Sequence, residues 1–256
     1  MLAGAVLATS VLLAACAGGG GAGQGGTSAA GTTTGTATGP LGDGATLAAS
    51  AETAPPTSAS SPPATVDEPT PDQLAGLLSH EVPDAGDGEL AVVPGTEEAP
   101  GPGTDEITVA VAVEGGVPAE GAAFAAFVMA TLNDARSWPH EGYTFARTDD
   151  ADSADVTVVL ASPATTDRLC RPLVTYGKLS CRNGSKSVLT FYRWVNGIPE
   201  YSDDLTAYRR YLVNHEVGHF LGKGHVSCPG AGAVAPVMMQ QTKGLDGCGR
   251  NSWPYP

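Results

Sequence analysis

Residues 215–225 read His215-Glu216-Val217-Gly218-His219-Phe220-Leu221-Gly222-Lys223-Gly224-His225. His215 and His219 are four residues apart, so on a helix they stand one turn apart on the same face and both imidazoles reach one point. Glu216 sits beside them, placed to take a proton from a water held at that point. Gly222 falls where the helix must stop and the chain turn back, a position that a residue without Cβ fills cheaply at positive φ. The turn delivers His225 as a third imidazole. Three neutral histidines with a fourth tetrahedral position left open are the donor set of a catalytic zinc site, whereas a structural site fills all four positions with protein.

The alternative is that these are ordinary polar residues on a surface helix. For a chain of this composition, the five fixed positions coincide by chance on the order of once in 10⁵. Three of only five histidines fall in the pattern, which favours a metal site with Zn2+ as its one catalytic ion. Of the two histidines upstream, His140 reads as a surface loop residue.

Working outward, Ser202 is a candidate N-cap for the motif helix, with Asp203 and Asp204 in its first turn, and the helix is expected to run to about Leu221. Before it, Leu179–Arg182, Asn183-Gly184 and Val188–Trp194 have the form of a hairpin, the β-branched and aromatic second arm being the buried one. Val156–Leu160 is a continuous apolar run suited to a sheet centre, and Tyr143–Arg147 is a weaker strand. Pro118–Leu132 reads as a helix with Phe124, Phe127, Val128 and Leu132 on one face, Ile107–Val113 as a strand, and Leu90–Val93 as a short one. Helix, strands and a second helix in this order give an α+β domain over residues 89–256, long enough for one modest core.

The preceding part differs in kind. All thirteen Lys and Arg lie at or after Arg136, so residues 1–135 carry sixteen acids and no base; the rest, thirteen bases against eleven acids, comes to +2. The net charge of -14 belongs to the front half. No basic stripe exists for phosphates, which sets nucleic acid aside as a partner. Residues 1–15 are apolar for the length of a signal h-region and too short to span a bilayer. Leu13-Ala14-Ala15-Cys16 resembles the bacterial lipobox, in which Cys16 is lipidated; an ordinary export signal with an unmodified Cys16 is the competing reading. Residues 16–88 are rich in Gly, Ala, Ser, Thr, Pro and acids, and are expected to be a disordered tether whose lipid is the protein's membrane contact, on the extracytoplasmic face of the cell membrane.

Cys170, Cys181, Cys228 and Cys248 form an even set in an exported chain, so disulfides are expected. Of three possible pairings, Cys170 with Cys181 and Cys228 with Cys248 each enclose one local loop. A thiolate metal site would need C-x-x-C spacing, which does not occur.

Residues 215–225 are similar to the metzincin signature, H-E-x-x-H-x-x-G-x-x-H. Ala235-Pro236-Val237-Met238-Met239 resembles the Met-turn of those enzymes, with Met238 the first choice for its methionine and Met239 the alternative. From about Glu89 to the end the chain resembles an uncharacterised Gram-positive bacterial family of metzincin-like exported proteins, through ASPATTDRLC (161–170), NHEVGHFLGKGH (214–225), APVMMQQT (235–242) and NSWPYP (251–256). The resemblance implies a mixed sheet whose antiparallel edge strand, near Gly177–Arg182, lies above the active-site helix and takes extended protein or peptide substrate. It implies zinc-dependent peptide-bond hydrolysis with Glu216 as base. Gln240 and Gln241 stand where some metzincins have a Tyr near the Met-turn that stabilises the oxyanion. Two other functions remain open: an inactive, zinc-stabilised binding module at the envelope, and an amidohydrolase acting on cell-wall peptides or a small amide.

Overall fold

The computed structural model of the chain describes residues 68–256. The signal, Cys16 and most of the expected tether lie outside the described residues.

One long strand organises the sheet. β1 (Leu90–Val92) precedes β2 (Asp105–Glu114), followed by β3 (Tyr143–Arg147), β4 (Val156–Ala161), β5 (Cys181–Asn183) and β6 (Lys186–Thr190). β2 pairs in parallel with β3 along Asp105–Val109 and with β4 along Val109–Val113, and antiparallel with β1 along Ala112–Glu114. β4 then pairs in parallel with β6, and β6 antiparallel with the edge strand β5. The fold is α+β with a mixed sheet, as expected. Every residue of the central β4 is buried, the consequence of having both sheet faces covered.

The alternation along β4 and β6 separates two apolar layers. Val156, Val158, Leu160 and Leu189 join the main core beneath α2 (Gly121–Leu132) and α5 (Leu205–Phe220). Val159, Ala161 and Val188 face the opposite way, onto the Cys170–Cys181 disulfide and the end of α3 (Pro163–Leu169). Both expected disulfides form, Cys170–Cys181 and Cys228–Cys248, each with Cα atoms 5.9 Å apart. Glu114 is buried where β2 meets α3: its carboxylate accepts the Ser162 N–H at 2.7 Å, the Thr165 hydroxyl at 2.7 Å and the Gly88 N–H at 3.0 Å.

Several boundaries differ from those read in the sequence. α2 starts at Gly121, capped by the Glu120 carboxylate, which accepts the N–H groups of Ala122 and Ala123. α5 is capped by Asp204, which accepts from Ala207 N–H at 2.9 Å; Ser202 instead ends a short 3-10 turn, and Asp203 pairs with Arg250. The hairpin turn is Gly184-Ser185, because Asn183 pairs with Lys186. Its second arm ends at Thr190, and the aromatic stretch is helix α4 (Phe191–Asn196). Burial decides this: Trp194 reaches the core against Phe124 and Phe127, at ring-centroid distances of 5.1 and 5.4 Å.

The largest correction concerns where folding begins. Residues 70–88 were expected in the tether, with the domain starting at Glu89. Instead Thr70 caps α1 (Pro71–Leu74) in a reciprocal capping box with Gln73, and Ala75 and Leu77 join the main core. The Ala75 carbonyl accepts the Trp194 indole N–H at 3.1 Å. Asp72 forms an ion pair at 2.8 Å with Arg209, a side chain of α5 that is 0% exposed. Arg209 also donates from Nε to the Trp194 carbonyl at 2.8 Å. Among the described residues no helix is long and apolar enough to cross a membrane.

A buried guanidinium without its carboxylate is costly, and Asp72 is a third exposed, so Asp72→Ala is expected to lower stability by about 2 kcal/mol. A fragment beginning at Glu89 should be less stable still than one beginning at Pro63. Urea unfolding monitored by tryptophan fluorescence measures both; equal midpoints for the two fragments would show that residues 63–88 do not belong to the folded unit.

Candidate metal centre

α5 carries the motif through the interior. Tyr208 to Gly218 are buried apart from the half-buried Arg210, so the polar side chains on this stretch need partners within the protein. They find carbonyls on neighbouring segments. Asn214 donates to the Ser252 carbonyl at 2.9 Å and accepts the Ser137 hydroxyl at 2.7 Å. The Tyr211 hydroxyl donates to the Met239 carbonyl at 3.0 Å.

The same device orients the histidines. His215 Nδ1 lies 2.8 Å from the Val237 carbonyl and His219 Nδ1 2.8 Å from that of Lys223. A carbonyl only accepts, so both Nδ1 atoms carry the proton and both Nε2 atoms present a lone pair. The Nε2 atoms of His219 and His225 lie 2.9 Å apart. One ring nitrogen from each of His215, His219 and His225 falls within 4.8 Å of the others. A tetrahedral ion with bonds of about 2.0–2.1 Å would hold its nitrogens roughly 3.4 Å apart, inside the observed span.

The third histidine arrives by the turn read in the sequence. Gly222 has φ +82°. Its N–H donates to the His219 carbonyl and that of Lys223 to the Gly218 carbonyl, which is the Schellman arrangement of a helix end. Val226 N–H then donates to the Met238 carbonyl at 3.2 Å, and Lys223 pairs with Glu141, which also accepts the Tyr255 hydroxyl. His140 stacks on Tyr255 and takes no part in the cluster.

Of the two candidate methionines, Met238 lies under the helix. A Cβ built on Gly218 would meet its Sδ at 2.5 Å and Trp138 Cζ2 at 2.6 Å. Met239 packs in a separate cluster with Ala235 and Cys248.

Burial sets the charge states. His215 is pushed down to about 3, first by desolvation and then by the neighbouring His219 and His225, so it is neutral at physiological pH. His225 is also lowered, by desolvation, His219 and the Lys243 ammonium, in that order. Desolvation pushes Glu216 up to about 8, and its Oε2 is buried with no hydrogen-bond partner. An orphaned carboxyl oxygen in the cleft that three converging imidazoles line is expensive as structure alone, and makes chemical sense as a base for a cation-bound water.

The centre opens into a cleft of about 390 Å³. One wall is the disulfide-closed segment from Leu173 to Arg182, the other the stretch from Gln240 to Lys243, with Tyr211 on the floor. The expected edge strand near Gly177–Arg182 is realised as β5 at Cys181–Asn183, while Gly177 and Lys178 belong to the loop before it. Tyr211, Trp138, Lys243 and the Glu141–Lys223 pair were not singled out in the sequence, where no spacing marks them. The Cys170–Cys181 spacing did mark the loop that forms the first wall.

The family model described as "Protein of unknown function (DUF3152)" matches residues 78–250, from the packed N-terminal segment through all three histidines. The chain belongs to this family. No curated protein and no solved structure matches it. The family match begins eleven residues before Glu89, in keeping with the early start of the folded unit.

Two outcomes follow from the packing and the charge states. Gly218→Ala would gain about 1 kcal/mol of helix propensity, but its methyl overlaps Met238 and Trp138, and overpacking costs roughly 1–3 kcal/mol. Net destabilisation is expected in thermal unfolding, and a rise in melting temperature would contradict the contact. For metal-free protein in chelator, Glu216 has a folded pKa of about 8 against 4.5 unfolded. The folded state therefore holds the extra proton, and its contribution, full below pH 4.5, is lost as pH rises through 8. Glu216→Gln lacks this loss, so it should gain on the unmodified protein from pH 5 to 8, by a few kcal/mol at the top. Urea midpoints of both proteins across that range measure it, and parallel pH profiles would show that Glu216 is not desolvated.

Proposed function

We propose that this chain is a metzincin-like zinc metallopeptidase, exported and lipid-anchored through Cys16, that hydrolyses peptide bonds at the extracytoplasmic face of the cell membrane. The observation that carries the reading is the convergence of the His215, His219 and His225 ring nitrogens in a cleft that Glu216, with its unpartnered carboxyl oxygen, also lines. The donor set suits the ion: three imidazoles with converging ring nitrogens, two of them, His215 and His219, oriented by a carbonyl at Nδ1 so that Nε2 faces the cluster. Zn2+ bound there supplies Lewis-acid polarisation of the scissile carbonyl and of water.

The chain's own residues supply the rest. Glu216 is held rigidly by the surrounding α5 packing, and Ser187 donates to its backbone carbonyl at 3.1 Å. Its carboxylate takes a proton from the attacking water and returns it to the leaving amine nitrogen. Desolvation makes the ionised carboxylate a stronger base than one in water. β5 ends the sheet, so its outer edge is available among the described residues for an extended substrate to add as a further strand. The Tyr211 hydroxyl donates its proton to the Met239 carbonyl and is not free to donate to an oxyanion.

An intact Glu216 in a buried site argues against the inactive module, since a fold relieved of catalysis would gain stability by losing this group. The test is digestion of a diverse peptide pool by the full chain, zinc-loaded or chelated, beside Glu216→Gln. Cleavage should require zinc and fall at least about 10²–10⁴-fold in the variant, while metal analysis finds one zinc in both. Loss of zinc in the variant would mean the roles are misassigned, and zinc binding without any cleavage would favour the binding module or a non-peptide amide.

A further inference from the structure

The cleft has an unbalanced charge. Arg182 stands on the edge strand at one wall and Lys243 on the 3-10 turn (Gln241–Lys243) at the other. Both are exposed, and neither forms a hydrogen bond or ion pair from its side chain among the described residues. Among the described residues the one carboxylate lining the cleft is Glu216, which is buried at its base. A cleft lined by one sign of charge between low-dielectric walls concentrates ligands of the other sign.

The first wall adds an apolar element. Leu173 and Val174 are 56% and 67% exposed, yet the loop that presents them is fixed at many points. Cys170–Cys181 closes it. Asp167 accepts the Thr175 hydroxyl and the Gly177 N–H, Thr190 donates to the Gly177 carbonyl at 2.7 Å, and Arg193 donates to that of Lys178 at 3.0 Å. Large apolar side chains held in water on a rigid frame, at the mouth of a cleft, mark a preformed contact surface.

We propose that the cleft selects peptides carrying a carboxylate next to an aliphatic residue, with Arg182 and Lys243 binding the carboxylate and Leu173 and Val174 receiving the aliphatic side chain. This rests on the peptidase reading for what happens after binding, but not for the binding itself. The carboxylate comes from an Asp or Glu side chain or from the substrate's own C-terminus; both offer the same chemistry to a guanidinium and an ammonium.

Binding and cleavage are measured separately. Zinc-loaded full-chain Glu216→Gln is titrated with fluorescent peptides of Asp-Leu type, their Asn-Leu and Lys-Leu counterparts, and an uncharged Leu peptide with a free or an amidated C-terminus. The acidic peptides should bind roughly tenfold more tightly than the neutral ones at low salt, with the gap narrowing as salt is raised. Arg182→Ala combined with Lys243→Ala should remove the gap, as should Lys243→Glu alone, whose carboxylate offsets Arg182, and Arg182→Glu combined with Lys243→Glu should reverse it towards Lys-Leu. Tightening only with a free C-terminus would assign the carboxylate to the chain end. Replacing Leu173 and Val174 by Ser should weaken all the leucine peptides alike and leave the acid preference. Equal binding of acidic, neutral and basic peptides would overturn the proposal, even if the Glu216-containing protein cleaves all of them and the peptidase reading stands. Charge-selective binding without cleavage by the unmodified protein would remove the peptidase reading and leave the subsite. Circular dichroism of each variant confirms that it is folded, since all four side chains are exposed.

Discussion

A helix that carries Arg209, Asn214, His215 and Glu216 through the middle of a small domain must satisfy four polar side chains away from water, and much of the chain is arranged around that requirement. Three of the four are met by segments distant in sequence: Arg209 by Asp72 and the Trp194 carbonyl, Asn214 by Ser137 and the Ser252 carbonyl, His215 by the Val237 carbonyl. Each partner ties a different segment to α5, from the first helical turn to the last residues of the chain. The helix is therefore buried through its polar side chains as well as its apolar ones. Glu216 is the exception: its Oε2 has no partner, as Arg209 Nη1 also has none, and the residue lines the same cleft as the three histidines.

How much of this the sequence shows depends on whether the signal is local. The motif helix was legible because spacing alone puts His215 and His219 on one face, and Gly222 was legible because a helix end needs a residue tolerant of positive φ. The strands β2 and β4 were legible as apolar runs, and the two disulfides as the pairing with local loops. The carbonyl partners of His215 and Asn214 were not, since a backbone carbonyl carries no sequence label. Two features were written in the sequence and passed over. Thr70-Pro71-Asp72-Gln73 is a capping box with Pro at the first helical position, hidden by the low-complexity composition around it, and Ser162-Pro163 starts α3 by the same chemistry. The aromatic run from Phe191 to Trp194 misled in the other direction: its β propensity suits a strand, but as a helix it sets Trp194 against Phe124 and Phe127 in the core, and tertiary packing prevailed.

The charge asymmetry acquires a structural meaning once the fold is known. The basic residues are confined to the half that builds the cleft, and five of the thirteen are in ion pairs: Arg136 with Asp134, Arg147 with Glu97, Arg209 with Asp72, Lys223 with Glu141, Arg250 with Asp203. Arg182 and Lys243 stand out because nothing in the described chain neutralises them while both border the histidines. A domain that is acidic in sum, with thirteen bases against twenty-four acids over residues 68–256, can thus hold a locally positive cleft, which a sum over the sequence conceals.

The three histidines are not equivalent, and the difference bears on how a metal would be taken up. His215 and Glu216 are buried on α5 and held by packing on every side, so their geometry exists before any ion arrives. His225 is exposed on a turn beyond the helix, where the Schellman closure, the Val226–Met238 hydrogen bond, the Lys223–Glu141 pair and the nearby Cys228–Cys248 bridge replace burial as the source of order. The entropy of assembling the site is therefore concentrated in one short segment and largely removed by local links in advance. That division also explains why the turn needs Gly222 although no neighbouring atom crowds it: the constraint at this position is the backbone angle that turns the chain towards His225, and any side chain would strain it.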